Sequence, residues 1–305
     1  MKKTIFAFFL IFLLSLTACS ARSSAPDAQQ TSEPQAETSS QVDISELPDG
    51  QCYRQTPYLN PIGISYPEGQ CVWNGKVYSF SNAPGKLGVT DANGNSEALE
   101  LPDAEYIYGV CENGDTLAVL AGADPLFFAG TDNEQSAQAS ENGNHAIYLY
   151  DEAGNLTGSI PLAERYADAP YALDSDGTDF FLLFSDAVVR IGADGTQLAK
   201  SGDMGGRLLQ LACADGAVYV CVEGDRIYQT EKVVRLNAQT LEPEAELSCA
   251  NLNIQGMGTA SDGTLLLISG DYLLRPDFDA GTLTAILHWV DNANTSVNNY
   301  RSVLE

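Results

Sequence analysis

The sequence predicts an all-β protein, a β-propeller of four-stranded antiparallel blades with five clear repeats and one incomplete repeat. Three observations predict it. Asn-Gly or Asp-Gly pairs recur at Asn74-Gly75, Asn113-Gly114, Asp176-Gly177, Asp215-Gly216 and Asp262-Gly263, and such pairs turn a chain tightly because Gly takes positive φ without a Cβ clash. An apolar run follows each pair, at 76–80, 116–120, 180–184, 218–222 and 265–268. A second turn then closes a β-branched or aromatic run: VTDANG (89–94), YLYDEAG (148–154), RIGADG (190–195), RLNAQT (235–240) and RPDFDAG (275–281). Successive turn glycines are 39, 63, 39 and 47 residues apart. Apart from the long interval, these approach the roughly 40–45-residue repeat of propeller blades.

The segment 171–200 shows the unit most plainly. Ala172 and Leu173 end one extended run, and Asp176-Gly177 turns it. The continuous apolar run 180–184 has the pattern of a strand buried on both faces. Ser185-Asp186 breaks it, Val188, Val189 and Ile191 form a β-branched strand, and 196–199 gives a polar outer strand after Ala193-Asp194-Gly195. A lone sheet of this size cannot cover two apolar faces, so copies must stack.

In chain order, Met1-Lys2-Lys3 is basic and 5–14 is apolar throughout. That stretch is too short to span a membrane as a helix and has signal-peptide shape. It ends Leu16-Thr17-Ala18-Cys19, which resembles the bacterial lipobox. The resemblance implies cleavage of a signal at 1–18 and a diacylglycerol on the Cys19 thiol, whose acyl chains hold a soluble domain to the bilayer. Residues 19–45, rich in Ser, Gln, Glu and Pro, read as a flexible tether, because so few large apolar side chains cannot offset the entropy of ordering. The propeller domain is expected over 46–305. The expected location is extracytoplasmic, lipid-anchored to the cell membrane.

Removing the signal removes Lys2 and Lys3 and leaves 13 basic against 41 acidic residues, a formal charge of −28. Nucleic acids and anionic lipid surfaces reward clustered Lys and Arg, so both are excluded as direct partners. Many of the acids fall in turns and read as a solubilising coat. Of seven cysteines, Cys19 is the lipid acceptor. Cys111 and Cys213 share one repeat position, three before the turn glycine, and read as small buried hydrophobes. Cys221 falls on the following strand and Cys249 at the end of an outer one. Pairing among Cys52, Cys71, Cys111, Cys213, Cys221 and Cys249 stays open, with Cys52–Cys71, both near the start of the domain, the favoured pair. No C-x-x-C occurs and no His neighbours a Cys, so no zinc site is expected.

The long interval hides an insertion at about 123–144, ADPLFFAGTDNEQSAQASENGN, whose second half is polar and of low complexity. Leu126-Phe127-Phe128 reads either as an apolar knob for a partner or as a patch tucked against its own blade. Asp174, Asp176 and Asp179 resemble a calcium loop only loosely, because Gly177 comes one residue early; a hairpin turn is the better reading. No metal and no cofactor is expected. The last residues, 298–305, read as a first strand stopping just short of its turn, as if the chain were cut inside a sixth unit. Strands within 53–66 then close the ring, or it stays open.

From Cys71 to Glu305 the chain resembles the propeller-like N-terminal region of large extracellular solute-binding lipoproteins from clostridial bacteria. The resemblance is carried by YLYDEAGNLTGSIPL (148–162), VVRIGADGTQLA (188–199) and LTAILHWVDNANTSVNNYRSVLE (283–305). It implies an association with ABC-type solute uptake, although the solute-binding domain of that family does not appear in this sequence.

Enzyme motifs are missing from the sequence. There is no S-x-D-x-G-x-x-W box, no G-x-S-x-G and no Gly-rich phosphate loop. Arg190, Arg235 and Arg275 recur at one repeat position and read as structural or solvent-facing. The function expected is therefore non-enzymatic: a surface binding module for a carbohydrate, a peptide or a protein, working beside ABC importer components. The alternative is a free-standing propeller scaffold for protein–protein contacts at the envelope. Trp73 and Trp289, the two tryptophans, read as strand packing rather than sugar platforms.

Overall fold

A computed structural model describes residues 42–44 and 69–288, with breaks at 82–85, 100, 102–105, 123–144, 163–165, 167–169, 227–228, 250–251, 253, 261 and 271. Every described element is a strand. Blade 1 comprises β2 (Gly69–Trp73), β3 (Lys76–Ser81), β4 (Lys86–Thr90) and β5 (Ser96–Leu99); blade 2 comprises β6 (Tyr106–Asn113), β7 (Thr116–Gly122), β8 (Ala146–Tyr150) and β9 (Leu156–Pro161). Blade 3 is β10 (Ala172–Ser175), β11 (Phe180–Leu183), β12 (Val188–Ile191) and β13 (Gln197–Lys200); blade 4 is β14 (Leu208–Ala214), β15 (Ala217–Glu223), β16 (Thr230–Asn237) and β17 (Pro243–Ser248). Blade 5 is β18 (Ile254–Thr259), β19 (Leu265–Ser269), β20 (Tyr272–Asp277) and β21 (Thr282–His288), with β1 (Val42–Ile44) added beside β21. Within each blade the strands run antiparallel in sequence order, and the five blades form a ring.

The first strand of each blade is its innermost one. β2 lies beside β6, β6 beside β10, β10 beside β14, and β14 beside β18. Apolar cores fill the gaps between blades 1 and 2, 2 and 3, 3 and 4, and 4 and 5. One joins Tyr78, Phe80 and Leu87 of blade 1 to Ile107, Val119 and Tyr150 of blade 2. The others join Ile147 to Phe180 and Leu182, Phe181 and Leu183 to Val218 and Val220, and Cys221 and Val233 to Leu267 and Leu274. β11 shows why a continuous apolar run was required: Phe180 and Leu182 serve one core, Phe181 and Leu183 the next, and all four are 0% exposed.

Hydrogen bonds cross the same gaps near the inner turns. Trp73 Nε1 donates to Gly114 O (3.3 Å), and Ser175 Oγ donates to Asn113 Oδ1 (2.6 Å). The Cys213 N–H donates to Asp174 Oδ2 (2.7 Å), and Thr259 Oγ1 donates to Cys213 O (2.7 Å). Trp73 is thus a buried packing residue, as its strand position implied; Trp289 lies outside the described residues.

The turns follow the sequence signals closely. Asn74-Gly75 and Asp215-Gly216 take positive φ at both residues, the type I′ geometry that suits the twist of a hairpin. RLNAQT departs from the pattern, because Leu241 stands at φ 59° where a glycine would be free of strain. A left-handed non-Gly residue costs about 1–2 kcal/mol. Burying a leucine returns about 1.5–3 kcal/mol, and Leu241 is fully buried against blade 3. Burial wins.

Two boundaries are corrected. The expected tether through residue 45 contains β1, since Val42 and Ile44 give it a short β-branched alternation that pairs in parallel with Leu283 to Ala285. β10 also runs two residues beyond the expected end at Leu173, to Ser175, because Asp174 and Ser175 find partners on blades 4 and 2. The signal segment, 53–66, the knob at 126–128 and the last residues, 289–305, lie outside the described residues.

Truncating a residue shared by two blades should cost as much as a core deletion in any close-packed interior. Leu182→Ala is expected to lower stability by about 2–5 kcal/mol, read as a fall in the urea midpoint with little change in slope.

Candidate functional site at the connection end of blades 2 and 3

The ring has two ends of different character. One carries the turns between first and second strands and between third and fourth strands. The other carries the links between second and third strands and the links between blades.

At the turn end the carboxylates are spent on the backbone. Asp91 Oδ1 accepts from the N–H groups of Asn93 (2.9 Å) and Asn95 (2.8 Å), and its Oδ2 accepts from Asn95 Nδ2 (2.9 Å). Asp151 repeats this with Asn155, and Asp194, Asp262 and Asp277 cap their own turns similarly. The side-chain and backbone donors of Asn95 hold the Asp91 carboxyl below its ordinary value. Asn155 does the same to Asp151, and the Thr264 N–H to Asp262.

The trio considered as a calcium loop is dispersed among separate partners. Asp174 accepts from the N–H groups of Cys213 and Ser175. Asp176 Oδ1 accepts from the N–H groups of Thr178 and Asp179, and Asp179 is ion-paired with Arg190. Among the described residues no group of three or more His, Cys, Asp or Glu side chains is arranged to hold a metal.

Two of the recurrent arginines, Arg190 and Arg235, tie neighbouring blades together. Arg190 Nη1 donates to Gln239 O of blade 4 (3.0 Å). Arg235 sits 3.5 Å from Glu244 and 5.8 Å over the Phe278 ring of blade 5. Arg190 and Arg235 are thus structural.

Cys71, Cys111, Cys221 and Cys249 are buried free thiols, and Cys213 is a half-buried one. Burial pushes Cys71 and Cys249 up to about 12, far from the thiolate form that attacks or binds metals. The Cys52–Cys71 pairing thus meets a free Cys71, while Cys52 lies outside the described residues. Asp174 shares the repeat position of Cys111 and Cys213, a carboxyl among thiols. Burial pushes it up to about 6 despite the donors of Cys213 and Ser175, and Glu112 adds to the rise.

The connection end of blades 2 and 3 gathers aromatic rings instead. His145, which re-enters blade 2 after the insertion, is buried and stacked on Tyr108, with ring centres 5.5 Å apart and planes 28° apart. Gly122, which leaves the blade before the insertion, lies under it: a Cβ there would meet His145 Cδ2 at 2.9 Å. Tyr166 tilts against Phe184 at 5.2 Å, and Tyr106 and Tyr166 pack half-buried against the blade 2–3 core. Tyr171 donates to Phe184 O (3.3 Å) and to Leu208 O, fixing the blade 3–4 link. Sequence reasoning missed this cluster. Its members lie up to 78 residues apart, from Tyr106 to Phe184, and only their shared place at strand ends on one side could have linked them.

No family model and no curated protein matches the chain. Solved structures do. A streptogramin B lyase shares 18% identity over 77% of this chain and 73% of that one, with a TM-score of 0.51. Virginiamycin B lyase from Staphylococcus aureus shares 17% over 80% and 76%, also at 0.51. A protein of unknown function from Bacteroides thetaiotaomicron shares 13% over 72% and 57%, at 0.50. At such identities the likeness is one of fold.

Two outcomes follow from this geometry. Asp174 has a folded-state value above its unfolded one, so between about pH 6 and pH 4 the folded chain binds a proton that the unfolded chain does not. Stability should rise as pH falls through that window, by about 1–3 kcal/mol from this group, and Asp174→Asn should remove that increment in urea titrations at pH 7.5 and 5. Below it, Asp91, Asp151 and Asp262 reverse the trend as their caps are protonated. Gly122→Ala should displace the His145 ring and lower Tm by several degrees, while blade 4 amides exchange at unchanged rates.

Proposed function

We propose that this chain is a non-enzymatic binding ring, tethered outside a bacterial membrane through a lipid on Cys19, that takes its ligand at the connection end of blades 2 and 3. The observation that carries the reading is the half-buried Tyr106 and Tyr166, both packed against the blade 2–3 core that holds Tyr108 and Phe184, with His145 stacked on Tyr108. Rings held this way offer faces for stacking at little entropic cost, which suits a carbohydrate or an extended peptide. The rest of the ring's chemistry favours binding over catalysis. Its described thiols are buried or half-buried and held protonated, His145 is stacked, and Asp91 and Asp176 cap backbone at their turns. The lipobox-like LTAC at 16–19 and the tether composition support membrane attachment, and the resemblance to clostridial solute-binding lipoproteins supports a place beside an ABC importer. A scaffold for a second envelope protein is the other reading, favoured by the rigid acidic rim at the turn end.

Mass spectrometry of the mature N-terminal peptide should find diacylglycerol on Cys19, and Cys19→Ser should release the protein into the medium. An unmodified Cys19 would end the membrane reading. For the ligand, a glycan array run beside a pull-down from envelope extract separates the readings. Binding should weaken roughly tenfold, about 1.4 kcal/mol, in Tyr106→Ala and Tyr166→Ala at temperatures where both variants remain folded. Full affinity in both variants would remove the connection end as the site.

A further inference from the structure

The outermost strands of blades 1 to 4 carry features that discourage pairing with another chain. β5 has four residues and Glu97, and β13 has four and Lys200. β9 contains Gly158 and Pro161, and β17 contains Pro243, Glu244 and Glu246. Short length, charge, Pro and Gly are the usual means of blunting an exposed edge. β21 has none of them: it is seven residues, TLTAILH, without charge, Gly or Pro. What meets its edge is β1, three residues in parallel register: Val42 with Leu283, Asp43 with Thr284, Ile44 with Ala285.

We propose that this edge is an interaction surface whose partner is a second copy of the chain, with residues 42–44 of each copy pairing onto β21 of the other. Three features favour this occupant. The edge already fits this segment's register, and every copy carries the same segment. Three residues of parallel pairing hold β1 in place with few bonds, so exchange is cheap. The 24 residues between β1 and β2 reach up to ~80 Å when extended, at ~3.3 Å per residue. That lets β1 cross to a neighbour while its own blades stay closed. Reciprocal exchange of one element gives a closed two-fold dimer.

The test uses two variants of the full chain, Asp43→Cys and Thr284→Cys, expressed separately and mixed under mild oxidation. Exchange predicts a disulfide-linked dimer containing one chain of each variant, absent when either is oxidised alone. It also predicts a dimer fraction that rises with concentration in light scattering and falls when Asp43→Pro removes a strand N–H. The double variant Asp43→Cys, Thr284→Cys checks the pairing itself. If it closes only within one chain while the mixed variants never cross-link, the exchange is refuted. If it forms no bond at all, the β1–β21 pairing is refuted and the proposal with it. Thr284→Cys chains cross-linked only to an unrelated protein would overturn the choice of a second copy.

Discussion

Blades 2, 3 and 4 each have two apolar faces, and a neighbouring blade covers each of them. β11 and β15 make the dependence plain, since successive residues of one strand belong to different cores. Sheets in two-layer folds can leave one face to water; these cannot. The ring is therefore a consequence of strand composition rather than of any special contact. At about 25 cal/mol per Å² of buried apolar surface, the inter-blade cores outweigh the few cross-blade hydrogen bonds, which fix register near the axis instead of supplying most of the stability.

Charge is organised around that apolar requirement. A chain this acidic would repel itself if its carboxylates were crowded at random. At several turns local N–H donors partly neutralise the Asp, as at Asp91, Asp151 and Asp176, so charge and turn geometry reinforce one another. Asp174 is the exception. It is placed where its repeat relatives are cysteines, and it keeps a strong bond to blade 4 at the cost of an unfavourable charge at neutral pH.

The fold was legible because its signals are local. Turn pairs such as Asp215-Gly216, two-faced runs such as 180–184 and the shared position of Cys111 and Cys213 each depend on a few neighbouring residues. Residues joined by the ring itself were not legible. Nothing near Arg190 announces Gln239 as its partner, and nothing near Tyr106 announces His145 or Tyr166. β1 was missed for a different reason: three residues in a polar stretch carry too little pattern to stand out, and their pairing is decided by a strand at the other end of the chain. The candidate site was thus almost wholly invisible, while the scaffold presenting it was visible in outline.

Each four-stranded sheet is drawn from one uninterrupted stretch of sequence, so blades 1 to 5 can form one after another as the chain is made, each covering a face of the last. β1 breaks that order. It emerges before any blade exists, yet its partner β21 emerges after all of them, and closing a loop of roughly 240 residues costs on the order of 5 kcal/mol of chain entropy. The first strand out is the last to find its place, and throughout the assembly of the ring it stays open to any β21 edge that comes within reach.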